Sequence, residues 1–266
     1  MSFFSRSAAA SVAAMAVLGV HQASSDVVEI VSSKDNTLYQ QASGNLSNGS
    51  GSYMFAGRVN ADDDQSIRRA LLAFDVHQFV PTGATINNVT LELSMSRTRT
   101  GAIDIGLHTV LAPWGEGTSN AIGEEGGGTA STPGDATWLH TFYPTTFWAA
   151  PGGDFDPLAL ATTSVNREGP YTWTSSAMAS EVQAWLDDPS TNDGWILTGE
   201  ETNERSTKRF DAREHPVPSQ RPRLIVDFTP PANAGACCIP DGSCLVLTEV
   251  QCDQVGGTFQ GIGVSC

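Results

Sequence analysis

The chain is 266 residues long and carries 14 Lys and Arg against 29 Asp and Glu, a formal net charge of −15. A surface this acidic repels nucleic acid and anionic lipid, so we expect neither a nucleic-acid partner nor a role at a membrane surface. With 26 Gly, 14 Pro and 40% hydrophobic residues, the composition indicates a folded protein with many turns rather than a disordered one.

The first 25 residues have the three parts of a secretory signal peptide. Arg6 gives the positive start, Ala8 to Val20 forms an apolar stretch, and Ala23 to Ser25 supplies small residues for cleavage before Asp26. The apolar stretch is shorter than the roughly 20 residues that a transmembrane helix needs, so a membrane anchor is the weaker alternative. We therefore expect a secreted protein, extracellular or at the cell surface, with no membrane insertion after cleavage.

Residues 26–229 are predicted to form one β-sandwich domain, because their commonest pattern is an alternation with a period of two. In the segment 86–97, Val89, Leu91 and Leu93 share one face while Thr90 and Glu92 share the other. Similar segments are Val27–Val31, Tyr53–Val59, Arg69–Asp75, Ile103–Leu107, Tyr171–Thr174, Gly194–Thr198, Lys208–Ala212 and Leu224–Phe228. Strands with one buried face, separated by turns, are typical of antiparallel sheets packed as a sandwich.

A long insertion between Trp114 and Pro157 interrupts this pattern and is rich in Gly and acidic residues. Long loops without regular structure are functional or disordered, and the aromatic residues in the second half of this one argue against disorder. We predict that Trp138, Tyr143 and Trp148 stack on the faces of sugar rings. Asp154 and, beyond the insertion, Arg167 are the predicted polar partners of the sugar hydroxyls. The alternative is that the tryptophans anchor the insertion onto the sandwich.

Structural calcium is the cofactor that the acidic loops suggest, since Ca²⁺ takes hard oxygen ligands from Asp, Glu and backbone carbonyls. The candidate ligands form three groups: Asp62 with Asp64, Glu116 with Asp135, and Asp154 with Asp156. None of them forms a DxDxDG loop, so solvated turn acids are the alternative for each group.

One segment has helical rather than strand spacing. Thr174 or Ser175 is a candidate N-cap and Pro189 ends the segment. The apolar positions between them are Met178, Val182, Trp185 and Leu186. We predict a single short amphipathic helix lying on the sandwich.

The C-terminal segment 237–266 is predicted to be a separate small module, joined by a linker at 230–236. It contains all five cysteines: Cys237, Cys238, Cys244, Cys252 and Cys266. A unit this small needs disulfides to fold, and an exported chain can form them. Metal ligation is the alternative, but the segment has no His and no paired CxxC. Five is an odd number, so one cysteine is free, lost its partner, or pairs with another chain; the connectivity stays open.

Catalytic signatures are not found in this sequence. It has no G-x-S-x-G elbow, no H-E-x-x-H and no phosphate-binding glycine loop after a strand. Arg68, Arg69 and Arg209 are predicted to be structural, bridging strand ends to acids. We predict no catalytic residues, although the carboxylates of the insertion keep glycoside chemistry open as an alternative.

The order of motifs resembles the DNRLRE (disaggregatase-related) domain, a family of secreted modules grouped with carbohydrate-binding modules. The matching segments are SKDNTLYQ at 33–40, RALLAFDV at 69–76, GATINNVTLEL at 83–93, WGEG at 114–117 with ATW at 136–138, EVQAWLDDPSTNDGWIL at 181–197, KRFDARE at 208–214 and RPRLIVDF at 221–228. The stretch from ATWLH to PGGDF is similar to the version common in planctomycete proteins, and the tail resembles a short Cys-rich repeat of the same bacteria.

This resemblance implies a jelly-roll-like sandwich that binds polysaccharide or cell-surface matrix without catalysis. Two other functions stay open. One is a structural or adhesive surface protein without a sugar site. The other is a polysaccharide lyase or glycoside hydrolase.

Overall fold

The structure is a computed structural model that describes residues 25–266, so the predicted signal peptide lies outside the described residues except for Ser25. The strands of the main domain are β1 (Asp26–Val31), β2 (Lys34–Tyr39), β3 (Leu46–Ser47), β4 (Tyr53–Arg58), β5 (Ile67–Ala73), β6 (Thr85–Thr98), β7 (Ile103–Thr109), β8 (Thr129–Ala130), β9 (His140–Phe142), β10 (Thr146–Phe147), β11 (Ala161–Val165), β12 (Gly169–Thr174), β13 (Trp195–Thr198), β14 (Lys208–Asp211) and β15 (Arg223–Thr229). Its helices are α1 (Val76–Phe79) and α2 (Ser176–Asp187).

Eleven of these strands form one curled sheet whose two halves face each other. The order is β1-β15-β6-β14-β4-β5-β13-β7-β11, with β12 also paired to β6 and β2 also paired to β5. All of these pairs are antiparallel. The long strand β6 is central in one half because β12 pairs with one of its edges, and β15 and β14 pair with successive parts of the other.

Strand β4 is the bend that joins the two halves. Its first residues pair with β14, whereas Gly57 and Arg58 pair with β5. Gly57 has a φ of +113°, and a Cβ on it would lie 3.0 Å from the Cα of Thr207. Only glycine adopts this conformation easily, so Gly57 lets the strand cross from one half to the other.

The inner core lies between the two halves of the sheet and is closed by helix α2. The helix buries Met178, Val182, Trp185 and Leu186. Ser175 is the N-cap, since its side chain accepts the N–H of Met178 at 3.1 Å. Trp185 packs on Trp195 of β13 with ring centroids 4.7 Å apart. The predicted all-β, jelly-roll-like antiparallel sandwich with one short amphipathic helix is confirmed.

A second, outer core covers the opposite face of β2, β5 and β13. These strands present Leu38, Leu71 and Ile196 outward, and the insertion packs three tryptophans over them: Trp114, Trp138 and Trp148. The middle of the domain is therefore buried on both faces of the sheet. This explains why the second half of β5, residues 70–73, is an unbroken apolar run instead of a strict alternation.

The C-terminal module contains β16 (Ala234–Cys238), β17 (Cys244–Thr248), α3 (Glu249–Gln254) and β18 (Thr258–Phe259). Disulfides join Cys237 to Cys252 and Cys244 to Cys266, which confirms the predicted disulfide-rich module and leaves Cys238 free and exposed. Strand β16 begins inside the segment that we predicted as a linker, so the stretch between β15 and β16 is residues 230–233.

The module is docked on the sandwich through one buried glutamine. Gln251 donates to the carbonyls of His77 and Val80, both at 3.1 Å, and accepts the N–H of Thr82 at 2.8 Å. These bonds satisfy backbone groups around the short helix α1, so the module has a defined contact with the main domain.

Candidate functional site

The tryptophans of the insertion are anchors in this structure. Trp138 and Trp148, which we predicted to stack on sugars, are 8% and 5% exposed. Trp148 Nε1 donates to the carbonyl of Thr137 at 2.9 Å, and Arg69 covers the ring of Trp138 at 5.0 Å from its centroid. These rings pack in the outer core and present no open face, which corresponds to the anchoring alternative.

Three other aromatic side chains lie together on the hairpin β9–β10 of the insertion, with His140, 5% exposed, beneath two rings that reach the surface. The ring of Phe147 is 60% exposed and that of Tyr143 is partly buried. The ring of His140 lies against both, with centroids 4.3 Å from Phe147 and 5.1 Å from Tyr143. We call His140, Tyr143 and Phe147 the aromatic surface.

Hydrogen bonds from the layer beneath hold the aromatic surface in place. The hydroxyl of Thr137 shares a hydrogen bond with His140 Nδ1 at 2.9 Å and accepts the N–H of His140 at 3.0 Å. The N–H of Tyr143 donates to the carbonyl of Asp135 at 2.8 Å, and the N–H of Gly134 donates back to the carbonyl of Tyr143 at the same distance. The rings are therefore preorganised, which lowers the entropy lost when a ligand binds.

The predicted polar partners of a sugar do not share hydrogen bonds with this surface in the described residues. Asp154 accepts the N–H groups of Ala149 and Ala150, at 2.7 and 3.0 Å, and so closes the loop after Trp148. Arg167 is exposed in the turn between β11 and β12, where its backbone bonds the hydroxyl of Tyr171. Of the predicted ligand-binding residues, Tyr143 belongs to the aromatic surface.

The acids of two predicted calcium groups lie at turns. Asp62 and Asp64 are both exposed around a single 3₁₀ turn. Asp156 is exposed and accepts the N–H of Leu158 at 2.8 Å. Asp154, which was predicted to share a calcium ion with Asp156, already accepts two backbone N–H groups. The acids of both groups therefore act as solvated turn residues or cap the turns.

The third predicted calcium group is divided between two environments. Asp135 is fully buried, accepts the N–H of Thr132 at 2.6 Å, and has a raised pKa because of its burial. Glu116 instead pairs with Arg213, whose Nη2 lies 2.8 Å from Glu116 Oε2.

Glu116 belongs to a different group of acids, which we call the carboxylate cluster: Asp35, Glu116 and Glu214. One oxygen of each lies within 4.8 Å of the others. Arg213 contacts all three, through its backbone N–H to Asp35 Oδ2 at 2.6 Å and its guanidinium to Glu116 and Glu214. Asp35 is only 1% exposed, so its carboxyl lies at the bottom of the cluster.

The electrostatics of the carboxylate cluster favour an added positive charge. Burial raises the pKa of Asp35 well above its usual range, and the negative charge of Glu214 raises it further. Burial likewise raises the pKa of Glu214, whose buried Oε2 has no hydrogen-bond partner in the part of the chain that the structure describes. Arg213 bonds directly to the cluster, and the charges of Lys34 and Arg221 act on Glu116 and Glu214 as well. A proton or a hard divalent cation would further reduce the repulsion between the three carboxyl groups.

Phe147, Asp35 and Glu214 were not predicted from the sequence as site residues. Each acid of the cluster belongs to a different motif of the family resemblance: Asp35 to 33–40, Glu116 to 114–117 and Glu214 to 208–214. The presence of one acid in each of these three motifs is the sequence feature that could have indicated that the acids lie together. Trp148 was predicted instead of its neighbour Phe147, because only the conformation of the hairpin decides which of the two side chains faces solvent.

No protein-family model matches the chain, and no curated protein matches it. The resemblance to the DNRLRE domain therefore stays a prediction that depends on the motifs alone. Within residues 25–266, no helix combines the length and the apolar character needed to cross a membrane.

Proposed function

We propose that this protein is a secreted, non-catalytic module that binds polysaccharide of the cell surface or extracellular matrix. The observation that supports the proposal is the aromatic surface, in which Phe147 and Tyr143 are held on a fixed hairpin around His140. Sugar rings have apolar C–H faces that pack on aromatic rings, while their hydroxyls need polar groups at the edge. The exposed hydroxyls of Thr145 and Thr146 lie next to Phe147 in sequence and supply such groups.

The exposure of Phe147 has a cost for the folded protein. Burying a phenylalanine side chain stabilises a protein by about 2–3 kcal/mol, and Phe147 gives up much of that. The next residue, Trp148, is buried by the same hairpin. Among the exposed large hydrophobic side chains of residues 25–266, Phe147 is the aromatic one, and it lies against the ring of His140, so it offers a flat apolar face of the kind on which a sugar ring packs.

Secretion is supported by the two disulfides of the module. Disulfides form and persist in oxidising compartments and are rare in the cytosol. The signal-peptide pattern of residues 1–25 points to the same location. Mass spectrometry of the protein from culture medium tests this part, and a mature N-terminus at Asp26 is the expected result.

The binding proposal is tested by affinity electrophoresis against a panel of neutral polysaccharides such as xylan, mannan and cellulose derivatives. We expect retardation by at least one of them, and a loss of at least tenfold in affinity for Phe147→Ala, with a smaller loss for Tyr143→Ala. The matched control is Ile122→Ala, because Ile122 is a 93% exposed apolar residue of the same insertion outside the aromatic surface.

Two results would contradict the proposal. One is a wild-type protein that no glycan of the panel retards. The other is a Phe147→Ala variant that binds as tightly as the Ile122→Ala control.

Calcium enters the proposal as a structural ion at the carboxylate cluster. The three acids offer hard oxygen ligands, and the surplus negative charge left by Arg213 favours a cation. We expect calcium to raise the melting temperature above that in EDTA, and Glu214→Gln to abolish the increase. Asp64→Asn is the control, since Asp64 is an exposed turn residue. A melting temperature that does not respond to calcium would show that no such ion contributes.

A second candidate function is that of a structural or adhesive surface protein, and the free cysteine favours it. Cys238 is exposed on β16 while the other four cysteines are paired. An exposed thiol in an exported protein is able to form a disulfide with another chain. A slower band in non-reducing electrophoresis of the secreted protein, lost in Cys238→Ser, would support this function; a wild-type protein that is wholly monomeric would oppose it.

A further inference from the structure

A groove on the outer face of the sheet gathers arginines in a protein that is otherwise strongly acidic. It crosses β4, β14 and the end of β6, and has a volume of about 340 Å³. Four of the chain's 14 Lys and Arg residues line it: Arg97, Arg99, Arg205 and Arg209. We call these four the arginine groove.

Two of the arginines face each other directly across neighbouring strands. Arg209 of β14 is paired in register with Arg97 of β6, an arrangement in which like charges destabilise a sheet. Glu124, from the insertion, forms ion pairs with both of them. The hydrogen bond and charge of Arg97 hold the pKa of Glu124 below its usual range, with Arg209 adding to the effect. The ion pairs of the Glu124 carboxylate therefore show how this pair of arginines holds an oxyanion.

Arg209 lies at the bottom of the groove and is held in one orientation. Its guanidinium lies 3.8 Å from the ring centroid of Tyr53, and its Nε donates to Ser96 Oγ at 3.1 Å. The side chain is 13% exposed, so it is oriented before any ligand arrives. The predicted structural role of Arg209 agrees with these contacts.

The two outer arginines are exposed and have few partners. Within the described residues Arg99 makes no hydrogen bond or ion pair, and Arg205 has one bond, from Nε to Asn60 Oδ1 at 3.1 Å. Arg205 also has a φ of +64°, a left-handed conformation that glycine adopts at lower cost. The left-handed conformation of Arg205 is backbone strain of the kind that clusters at functional sites.

We propose that the arginine groove binds carboxylate or sulfate groups carried on an acidic oligosaccharide. Paired guanidinium groups match the geometry of these anions, and partly buried Val59, beside the 5% of Phe55 that is exposed, offers an apolar contact to the sugar ring. The groove is a local positive site on a protein of net charge −15, so it suits an isolated anionic group. A nucleic acid, with a charge every ~1.7 Å of helix axis, is repelled by the rest of the surface.

This site is separate from the aromatic surface, since the two share no residue. The test is titration calorimetry of the secreted protein with polygalacturonate, dextran sulfate, neutral dextran, sodium sulfate and single-stranded DNA. We expect binding to polygalacturonate or dextran sulfate that weakens as salt rises, and little binding to the other three. The Arg99→Gln/Arg205→Gln variant should lose at least tenfold in affinity, whereas Phe147→Ala should keep it.

Two further variants make the test sharper. Glu124→Gln removes the competing carboxylate, so affinity for the acidic glycan should rise about threefold or more. Arg205→Gly should keep or raise the melting temperature, because it relieves the left-handed conformation, and yet lower the affinity. Arg221→Gln is the control for the loss of a single charge, since Arg221 lies outside the groove and donates to the carbonyl of His215.

Several outcomes would overturn the proposal: equal binding of neutral dextran that Phe147→Ala retains, tighter binding of single-stranded DNA, or binding of free sulfate as tight as that of dextran sulfate. Wild-type affinity in the Arg99→Gln/Arg205→Gln variant, or weaker binding by Glu124→Gln with an unchanged melting temperature, would do the same. If Phe147→Ala alone loses its glycan, the aromatic surface survives without the arginine groove. If only the arginine variants lose binding, the arginine groove survives without the aromatic surface.

Discussion

The inner and outer cores are built differently, although β5 contributes to both. The inner core is filled by apolar side chains such as Leu72 and Trp195. The outer core also contains large apolar rings, but it is bordered by buried polar side chains that bond to backbone groups of the insertion, among them Asn36, Thr137 and Asp135. Packed apolar side chains therefore stabilise the sandwich, whereas hydrogen bonds from particular polar side chains fix the insertion on it.

The largest effect is expected from the two adjacent leucines of β5, which face opposite cores. Leu71 and Leu72 are both fully buried. Replacing either by Ala should lower the free energy of unfolding by about 3 kcal/mol, through lost burial and the cavity left behind. Leu72→Ala should weaken the whole domain, whereas Leu71→Ala should act mainly on the insertion.

Hydrogen exchange followed by mass spectrometry checks this difference. Leu72→Ala should raise exchange in β6 and β13 together with the rest of the domain, and Leu71→Ala should raise it chiefly in residues 110–157. Identical exchange profiles for the two variants would mean that the cores form one cooperative unit.

A smaller effect is expected where the outer region depends on a single polar side chain. Asn36 donates to the carbonyl of Glu116 at 2.9 Å and accepts the N–H of Thr37 and the hydroxyl of Ser47, at 2.7 and 2.9 Å. Asn36→Ala should cost about 2 kcal/mol, because buried partners lose their bonds. Urea unfolding measures the loss, and Asn203→Ala, at an exposed loop, is the control. A change below about 0.5 kcal/mol would show that apolar packing alone holds the insertion.

The smallest effect is on the pH dependence of stability, and it comes from the carboxyl of Asp35 on the inner face of the sheet. Asp35 lies opposite Leu72 in the β2–β5 pair, and burial raises its pKa well above the ordinary value of 3.8. The folded state therefore binds this proton more tightly than the unfolded state. The resulting stability is present below about pH 4 and is lost as pH rises through the raised pKa. Asp35→Asn should flatten this fall, as measured by urea unfolding between pH 4 and 8, while Asp64→Asn should keep the wild-type slope.

Much of the inner core was predictable from local patterns. The alternation in 86–97 marks β6, and the spacing of Met178, Val182 and Trp185 marks α2, because each pattern reflects one buried face of one element. The alternation of apolar residues could not show that β5 is covered on both faces. A short apolar run occurs in strands buried on one face and in strands buried on both.

The candidate sites were only partly predictable. Tyr143 was named from the sequence and lies on the aromatic surface, but Phe147 was not named, and Trp148 proved to be an anchor. Composition indicated that aromatics of the insertion matter, yet a ring at the surface and a ring in the core look alike in sequence. The arginine groove was not predicted, because its four arginines come from two segments, 97–99 and 205–209, that are far apart in the chain.

The sequence by itself determined the antiparallel strands, the helix and the small disulfide-rich module, because each depends on residues close together in the chain. The tertiary structure decided which cysteine is free, which aromatics face solvent, and how Asp35, Glu116 and Glu214 meet. The physical reason is that a period of two or 3.6 assigns a face to a side chain within its own element. What covers that face, and which distant charges come to lie beside it, depends on how the curled sheet and its insertion pack together.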